Sequence, residues 1–340
     1  MRQYLVNSSN AVEAALRGLV ASSPAAIRRV GSHTSVVYSG NSKRRTKILI
    51  GGGSGHEPLF LGGVGSGMAD GAVAGQIFTA PNPDSILATI EALSAEAGVI
   101  LLYGNYSGDV LNFGFAAEEA QQKGIPVAEI RVHDDIASAP ISEQTERRGI
   151  AGDIFVLRCV AAAADRGDSF PEILRLGQKA NHHTRSLGVA LAAASSIDTG
   201  KPMFELPIGQ LEIGMGLHGE IGVQRSDFEP GEALVPRMVD LLSSDFRSSD
   251  LNSKRAAVMI NGLGSTTILE LLAIAGYTQE ALTQANIEPI YFYTGAFATS
   301  LDMAGFSITW TALDHELEPL LATDASSFCF STLAKVKDKL

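Results

Sequence analysis

Cysteine is scarce in this 340-residue chain: only Cys159 and Cys329 occur. Two lone cysteines in apolar segments, without a metal-ligand spacing, point to buried thiols in a reducing cytosol. Long apolar runs are missing too. No stretch reaches the length of a membrane span, and Met1-Arg2-Gln3-Tyr4 does not open into the apolar core of a signal peptide. Positive charge is also short. The 26 Lys and Arg against 37 Asp and Glu leave a net charge of −11, which argues against a general nucleic-acid surface. Lys43-Arg44-Arg45 is a short basic cluster and reads as a solvated loop. Neither a membrane nor a nucleic-acid partner is expected, and a cytoplasmic location is. No repeat of 20–50 residues and no low-complexity tract is visible. The length allows two domains of ordinary size, and 45% hydrophobic with 19% charged residues is a globular composition.

Familiar phosphate-binding signatures are absent as well. No Gly-Lys-Ser/Thr triplet exists, so there is no P-loop. Gly51-x-Gly53 reaches His56 where a dinucleotide fingerprint needs its third glycine. His56-Glu57 lacks the second histidine of a zinc protease. What stands there instead is Gly51-Gly52-Gly53-Ser54-Gly55-His56-Glu57-Pro58. It follows Ile48-Leu49-Ile50, which reads as a strand. Four glycines permit backbone angles closed to other residues and let N–H groups crowd a small ligand. A tight turn with an incidental histidine is the plainer reading of the same stretch.

Periodicity and turn signals lay out the rest. A helix is expected at 9–22, capped by Ser8 or Ser9, then strands at 33–38 and 46–50. Gly62 to Gly75 is a second glycine-rich segment. A helix at 85–96, a strand at 99–103, a helix at 110–123 and a strand at 125–130 follow. Helices at 147–165 and 170–184 close this half. Strand and helix alternating in this way predict a doubly wound, mostly parallel sheet. Further on, strands are expected at 186–193, 211–214, 256–260, 290–293 and 306–310, with helices near 233–244, 265–275, 278–285 and 331–338. The fold class is therefore two α/β domains, 1–185 and 186–340, the second smaller and with a mixed sheet.

Three loops could carry chemistry. The first runs from Gly53 to His56. The second is Asn105-Tyr106-Ser107-Gly108-Asp109, and the third is Gly214-Met215-Gly216-Leu217-His218-Gly219-Glu220. A neutral imidazole between glycines is approachable and can act as nucleophile or base. Asp109 reads either as a helix N-cap or as a general base for a hydroxyl. Glu220 reads as a loop ligand to backbone amides. His133-Asp134-Asp135 fits no compact metal-ligand set and reads as hydrogen-bonding loop structure, so no metal site is expected.

Taken together, seven ordered motifs resemble the substrate-binding subunit of dihydroxyacetone kinase. They are the stretches 51–58, 78–84, 105–113, 147–152, 216–220, 261–266 and 299–309, spanning nearly the whole chain. The resemblance implies a short ketose, dihydroxyacetone foremost, held covalently as a hemiaminal on His218. It implies that Gly53 and His56 contact the substrate and that Asp109 activates its terminal hydroxyl. Gly52, Ser54, Gly104 and Asn105 join the expected substrate-binding set. It implies no cofactor on this chain. ATP or ADP with Mg is expected on a separate helical subunit acting in trans, because the chain ends at Leu340. A phosphotransferase-system phosphoprotein could recharge that nucleotide, and a homodimer is expected.

Two departures stand out. The family has a lysine before Asn105, where this chain has Gly104, and Pro-Gly after His-Gly-Glu, where it has Ile221-Gly222. The first opens a place for a four-carbon ketose such as erythrulose. A ketose sensor that engages a transcription regulator is a further alternative.

Overall fold

The computed structural model describes residues 2–23, 27–40, 44–249, 251, 253–328 and 330–332. Its first half carries strands β1 (Ile27–Arg29), β2 (Ser35–Tyr38), β3 (Thr46–Ser54), β4 (Gly65–Ser66), β5 (Gly71–Ile77), β6 (Gly98–Gly104) and β7 (Val127–Val132). The helices there are α1 (Ala11–Ser22), α2 (Pro83–Leu93), α3 (Ser107–Gln122), α4 (Asp153–Arg166) and α5 (Phe170–His182). Six of the strands form one sheet in the order β1-β2-β5-β3-β6-β7. The pairs β3–β5, β3–β6 and β6–β7 are parallel, and β2 and β1 extend the edge antiparallel. Apolar runs such as Val99-Ile100-Leu101-Leu102 are buried on both faces, as central parallel strands are.

The second half carries β8 (Thr184–Ala192), β9 (Gln210–Ile213), β10 (Gln224–Asp227), α6 (Gly231–Ser248), β11 (Arg255–Gly262), α7 (Ile268–Gln284), β12 (Glu288–Gly295), β13 (Ala304–Ala312), α8 (Leu317–Leu321) and β14 (Ser326–Ser327). Its sheet runs β10-β9-β8-β13-β11-β12. Only β11–β12 is parallel, so this sheet is mixed.

Helices α2 and α3 cover the outer face of the first sheet, and α6 and α7 cover the outer face of the second. Between the sheets lies α4. It is buried from Asp153 through Ala164, all round its circumference. One core cluster joins its Val156 and Val160 to Ile48 and Ile100 of the first sheet and to Met259 and Tyr291 of the second. The run Ala161–Ala164 lets neighbours approach this helix closely.

Several expectations shift. Gly51, Gly52 and Gly53 belong to β3 rather than to a loop, and of the four glycines only Gly55 has a left-handed φ, +101°. The first three are needed for close approach. A Cβ on Gly51 would lie 2.6 Å from the Val73 carbonyl oxygen, and one on Gly52 2.4 Å from the Phe60 ring. The helix expected from 147 begins at Asp153, because Arg147 and Arg148 are spent on Asp245 and Asp135 before the helix starts. The helices expected at 265–275 and 278–285 are one, α7, opened by a capping box between Thr267 and Glu270. The first helix takes Asn10 as its N-cap position, with no side-chain cap bond. Arg44 is not solvated: it is 7% exposed, paired with Asp70 at 3.0 Å and with Asp165 at 2.6 Å. Cys159 is buried, as expected. Lys43, Cys329 and residues 333–338 of the last expected helix lie outside the described residues, and 331–332 are not helical. Among the described residues no helix is long and apolar enough to cross a membrane.

Candidate functional site

The carboxyl ends of β3 and β6 open onto one cavity, the place where open α/β sheets present ligands. Gly52 and Gly53 come from the end of β3, and His56 from the turn after it. Gly104 ends β6, Tyr106 follows, and Asp109 sits in the first turn of α3. Gly149 and Asp153 come from the approach to α4. Leu217 and His218 reach in from the second sheet, on the loop after β9. All of these line the cavity.

A strap between β12 and β13 binds the two halves of the site together. The amides of Thr299 and Leu301 donate to the carbonyls of His56 and Gly55 at 3.2 and 2.7 Å. The Ser300 hydroxyl donates to the Leu217 carbonyl, beside His218. Asn261 fixes the strap from beneath: its side-chain oxygen accepts from the amides of Phe297 and Ala298, and its Nδ2 donates to the Ala298 carbonyl. These contacts give the 261–266 and 299–309 motifs a physical role, holding the two histidine loops in register.

His56 is 3% exposed and stacks on Phe78 with ring centroids 5.0 Å apart. Its Nδ1 lies 2.7 Å from the Thr299 carbonyl oxygen, an acceptor only, so Nδ1 carries the hydrogen and Nε2 a lone pair. That Nε2 is 3.0 Å from Nε2 of His218. Burial, then the neighbouring His218, pushes the His56 pKa down to about 3. His218 is held from its other side. Its Nδ1 is 3.1 Å from Oε1 of Glu220, and its amide donates to Oε2 at 3.0 Å. Gly216 must be glycine for this, since a Cβ there would lie 2.1 Å from Oε2 of Glu220. Burial alone would raise Glu220. The hydrogen bond and charge of His218, with the Arg148 guanidinium, bring it down to about 2. Glu220 is thus an anion that fixes the His218 hydrogen on Nδ1 and leaves Nε2 to face the cavity. Glu220 serves a backbone amide, as expected, and also the imidazole itself.

Asp109 is 8% exposed, and its Oδ1 has no partner among the described residues. Tyr106 holds the N-cap position of α3, and no side chain caps that helix. Burial raises the Asp109 pKa to about 7, against the opposing influence of His218. A carboxyl poised there can take a proton near neutral pH.

Six of the expected residues therefore meet: Gly52, Gly53, His56, Gly104, Asp109 and His218. Two do not. The Ser54 hydroxyl donates to the Gly75 carbonyl at 2.7 Å. Asn105 turns away, its Nδ2 donating to the carbonyls of Thr145 and Arg147, and it lines a neighbouring cavity of about 850 Å³ instead. Asp134 and Asp135 have the structural role expected of them. Asp134 accepts from the amides of Ile150 and Gly152, and Asp135 from Arg148. Tyr106, inside the second candidate loop, and Asp153, just past the 147–152 motif, also line the cavity, though neither is singled out by the sequence.

Fold and site together define an α/β protein with a histidine–carboxylate cavity built from its two six-stranded sheets. The chain belongs to the Dak1 domain family, whose model matches residues 17–329. It is 38% identical over 325 residues to the dihydroxyacetone-binding subunit DhaK of the PTS-dependent dihydroxyacetone kinase 2 of Listeria innocua serovar 6a, covering 95% of this chain and 97% of that one. It is 40% identical over 283 residues to the D-erythrulose kinase of Mycolicibacterium smegmatis, covering 83% of this chain but 48% of that protein. Among solved structures, the dihydroxyacetone kinase operon co-activator Dha-DhaQ superposes with a TM-score of 0.87 at 30% identity, over 95% of this chain and 98% of the other.

Proposed function

We propose that this chain is the ketose-binding subunit of a dihydroxyacetone kinase. In this reading it holds the ketose as a hemiaminal on His218 while a nucleotide-bearing helical partner supplies the phosphoryl group. The observation that carries the reading is the pair of facing Nε2 atoms, His56 to His218, with the unpartnered Oδ1 of Asp109 in the same cavity.

The chemistry follows from the hydrogen bonds. Both Nδ1 atoms act as donors, so the facing Nε2 atoms, 3.0 Å apart, are placed to exchange a proton between the two rings. As the proton passes to His56, His218 Nε2 is freed to attack the ketose carbonyl carbon. A C–N bond forms, the carbonyl π pair moves to oxygen, and that oxygen takes the proton from His56. His56 is a willing donor because burial depresses its basicity. The imidazolium left at His218 is offset by Glu220. Glycerol has no carbonyl and cannot form the adduct, so the site selects by reactivity. Asp109 then accepts the proton of the terminal hydroxyl as its oxygen attacks the phosphoryl group.

The likeness to the Listeria subunit over nearly its whole length supports a partner in trans. The phosphoryl donor in this reading is ATP or ADP with Mg on that partner, recharged by a phosphotransferase-system protein or by exchange. The chain itself works as a homodimer. Purified alone, it is expected to leave dihydroxyacetone and ATP unchanged, and to yield the ketose phosphate once a nucleotide-loaded helical subunit is added. Robust turnover by the chain alone would overturn this division of labour. Ketose binding without turnover in the presence of the partner would favour the sensor alternative.

A second substrate reading, a four-carbon ketose, is favoured by Gly104 together with the likeness to the D-erythrulose kinase. A Cβ at 104 would lie 3.2 Å from the Tyr106 ring and 3.3 Å from the Gly149 carbonyl oxygen. A lysine there would press into the cavity wall. Gly104→Lys is expected to reduce kcat/KM for erythrulose more than for dihydroxyacetone, by roughly tenfold, the scale of one ligand hydrogen bond or steric contact. Equal responses of the two ketoses would remove Gly104 as a determinant of substrate size.

A further inference from the structure

The cavity holds more unsatisfied oxygen than the reaction above uses. Among the described residues, three buried side-chain oxygens on residues lining it have no hydrogen-bond partner: the Tyr106 hydroxyl, Oδ1 of Asp109 and Oδ1 of Asp153. Buried polar atoms are nearly always paired, so three in one cavity point to a ligand with several hydroxyls. Asp109 is assigned to the hydroxyl that is phosphorylated. Asp153 has no assignment.

Its position is unusual. Asp153 is the first residue of α4, the helix buried between the two sheets, and is 4% exposed. No side chain caps that helix start, so Asp153 is not there as a cap. Nor, among the described residues, does a cation hold it. The nearby Arg147 is bound to Asp245 and Arg148 to Asp135. Burial, with the carboxyls of Asp134 and Asp109, raises its pKa well above the carboxylate range, which favours the acid form, able to donate as well as accept. The position where the family has a lysine is Gly104, which offers no side-chain donor. Asn105 donates to backbone carbonyls elsewhere.

We propose that Asp153 is a substrate-binding, specificity-determining residue whose carboxylic acid holds a second hydroxyl of the ketose, distinct from the one handled by Asp109. The inference rests on the ketose reading of the site and deepens it. The Asp153 carboxyl supplies a polar partner in a cavity where Gly104 has no side chain to offer one.

The test uses the intact chain and two ligands, dihydroxyacetone and hydroxyacetone, which differ by one hydroxyl. Their Kd values are measured by calorimetry on the wild type, Asp153→Leu and Asp153→Asn, with thermal melts alongside. The wild type is expected to prefer dihydroxyacetone by about tenfold or more, the scale of one buried ligand hydrogen bond. Asp153→Leu should bring the ratio to about unity, chiefly by weakening dihydroxyacetone. Asp153→Asn, which still donates and accepts, should retain most of the preference. Because Leu removes an unpartnered buried carboxyl, its Tm should not fall below that of the wild type. Equal weakening of both ligands, or an unchanged ratio, in Asp153→Leu would overturn the inference and make Asp153 structural. Should Leu fail to fold, loss of the preference in Asp153→Ala, and its retention in Asn, carry the same decision. A wild type that binds neither ketose would overturn the ketose reading itself, and this inference with it.

Discussion

Replacing Asp109 with Asn is expected to lower kcat for ketose phosphorylation by about 10²–10⁴ while leaving the His218 adduct intact, the usual cost of removing a positioned acid–base group. Asn keeps the shape and the hydrogen-bonding reach of Asp but cannot take a proton. The carboxyl is buried, its Oδ1 is unpartnered and it caps no helix, so the change should cost little stability. The pH profile supplies the sign. Burial raises the Asp109 pKa to about 7, and the base form is the one that lies above that value. In the wild type kcat/KM should therefore rise with pH through about 7 and then level, falling roughly tenfold for each unit below it. Asp109→Asn should flatten this limb. Steady-state kinetics with the partner subunit present check both points. Normal turnover in the variant would leave Asp109 as a first-turn residue and no more.

His218→Ala is expected to abolish ketose binding without unfolding the protein. His218 is about a quarter exposed and belongs to no core cluster, and its loop is anchored by the Ser300 bond to the Leu217 carbonyl. A three-carbon ketose has too few atoms for non-covalent contacts to replace the adduct. Affinity for dihydroxyacetone should drop by more than about 10²-fold, to the level of glycerol, a scale at which the covalent bond dominates. Calorimetry with both polyols, together with a melting curve, decides it. Retention of ketose affinity would mean that the imidazole is a contact residue rather than the nucleophile.

Much of this was legible from residue types. Ile48-Leu49-Ile50 and Val99–Leu102 are apolar runs bounded by glycine, and they became β3 and β6. The loops after them were visible as glycine, histidine and aspartate. The chain could not reveal which side chains the backbone would already have satisfied. Ser54 and Asn105 stand among the glycine and aspartate motifs, yet their polar atoms are taken by the Gly75, Thr145 and Arg147 carbonyls. Asp153 was hidden for the opposite reason. With α4 expected to begin at Arg147, it reads as one polar residue inside an alanine-rich helix. Only tertiary structure shows that the helix begins at Asp153 and is buried on every side. The break expected between 275 and 278 failed similarly: Thr278 turns its hydroxyl back to the Ile274 carbonyl, and α7 continues.

The central claim is a covalent bond between a ketose carbonyl carbon and Nε2 of His218. Dihydroxyacetone labelled with carbon-13 at its carbonyl, added to nitrogen-15-labelled protein, reads that bond by NMR. The claim predicts that the bound carbon resonance moves from the carbonyl to the tetrahedral region, couples to a single imidazole nitrogen, and is absent in His218→Ala. A bound resonance that stays in the carbonyl region, or a tetrahedral one that persists in His218→Ala, would contradict it.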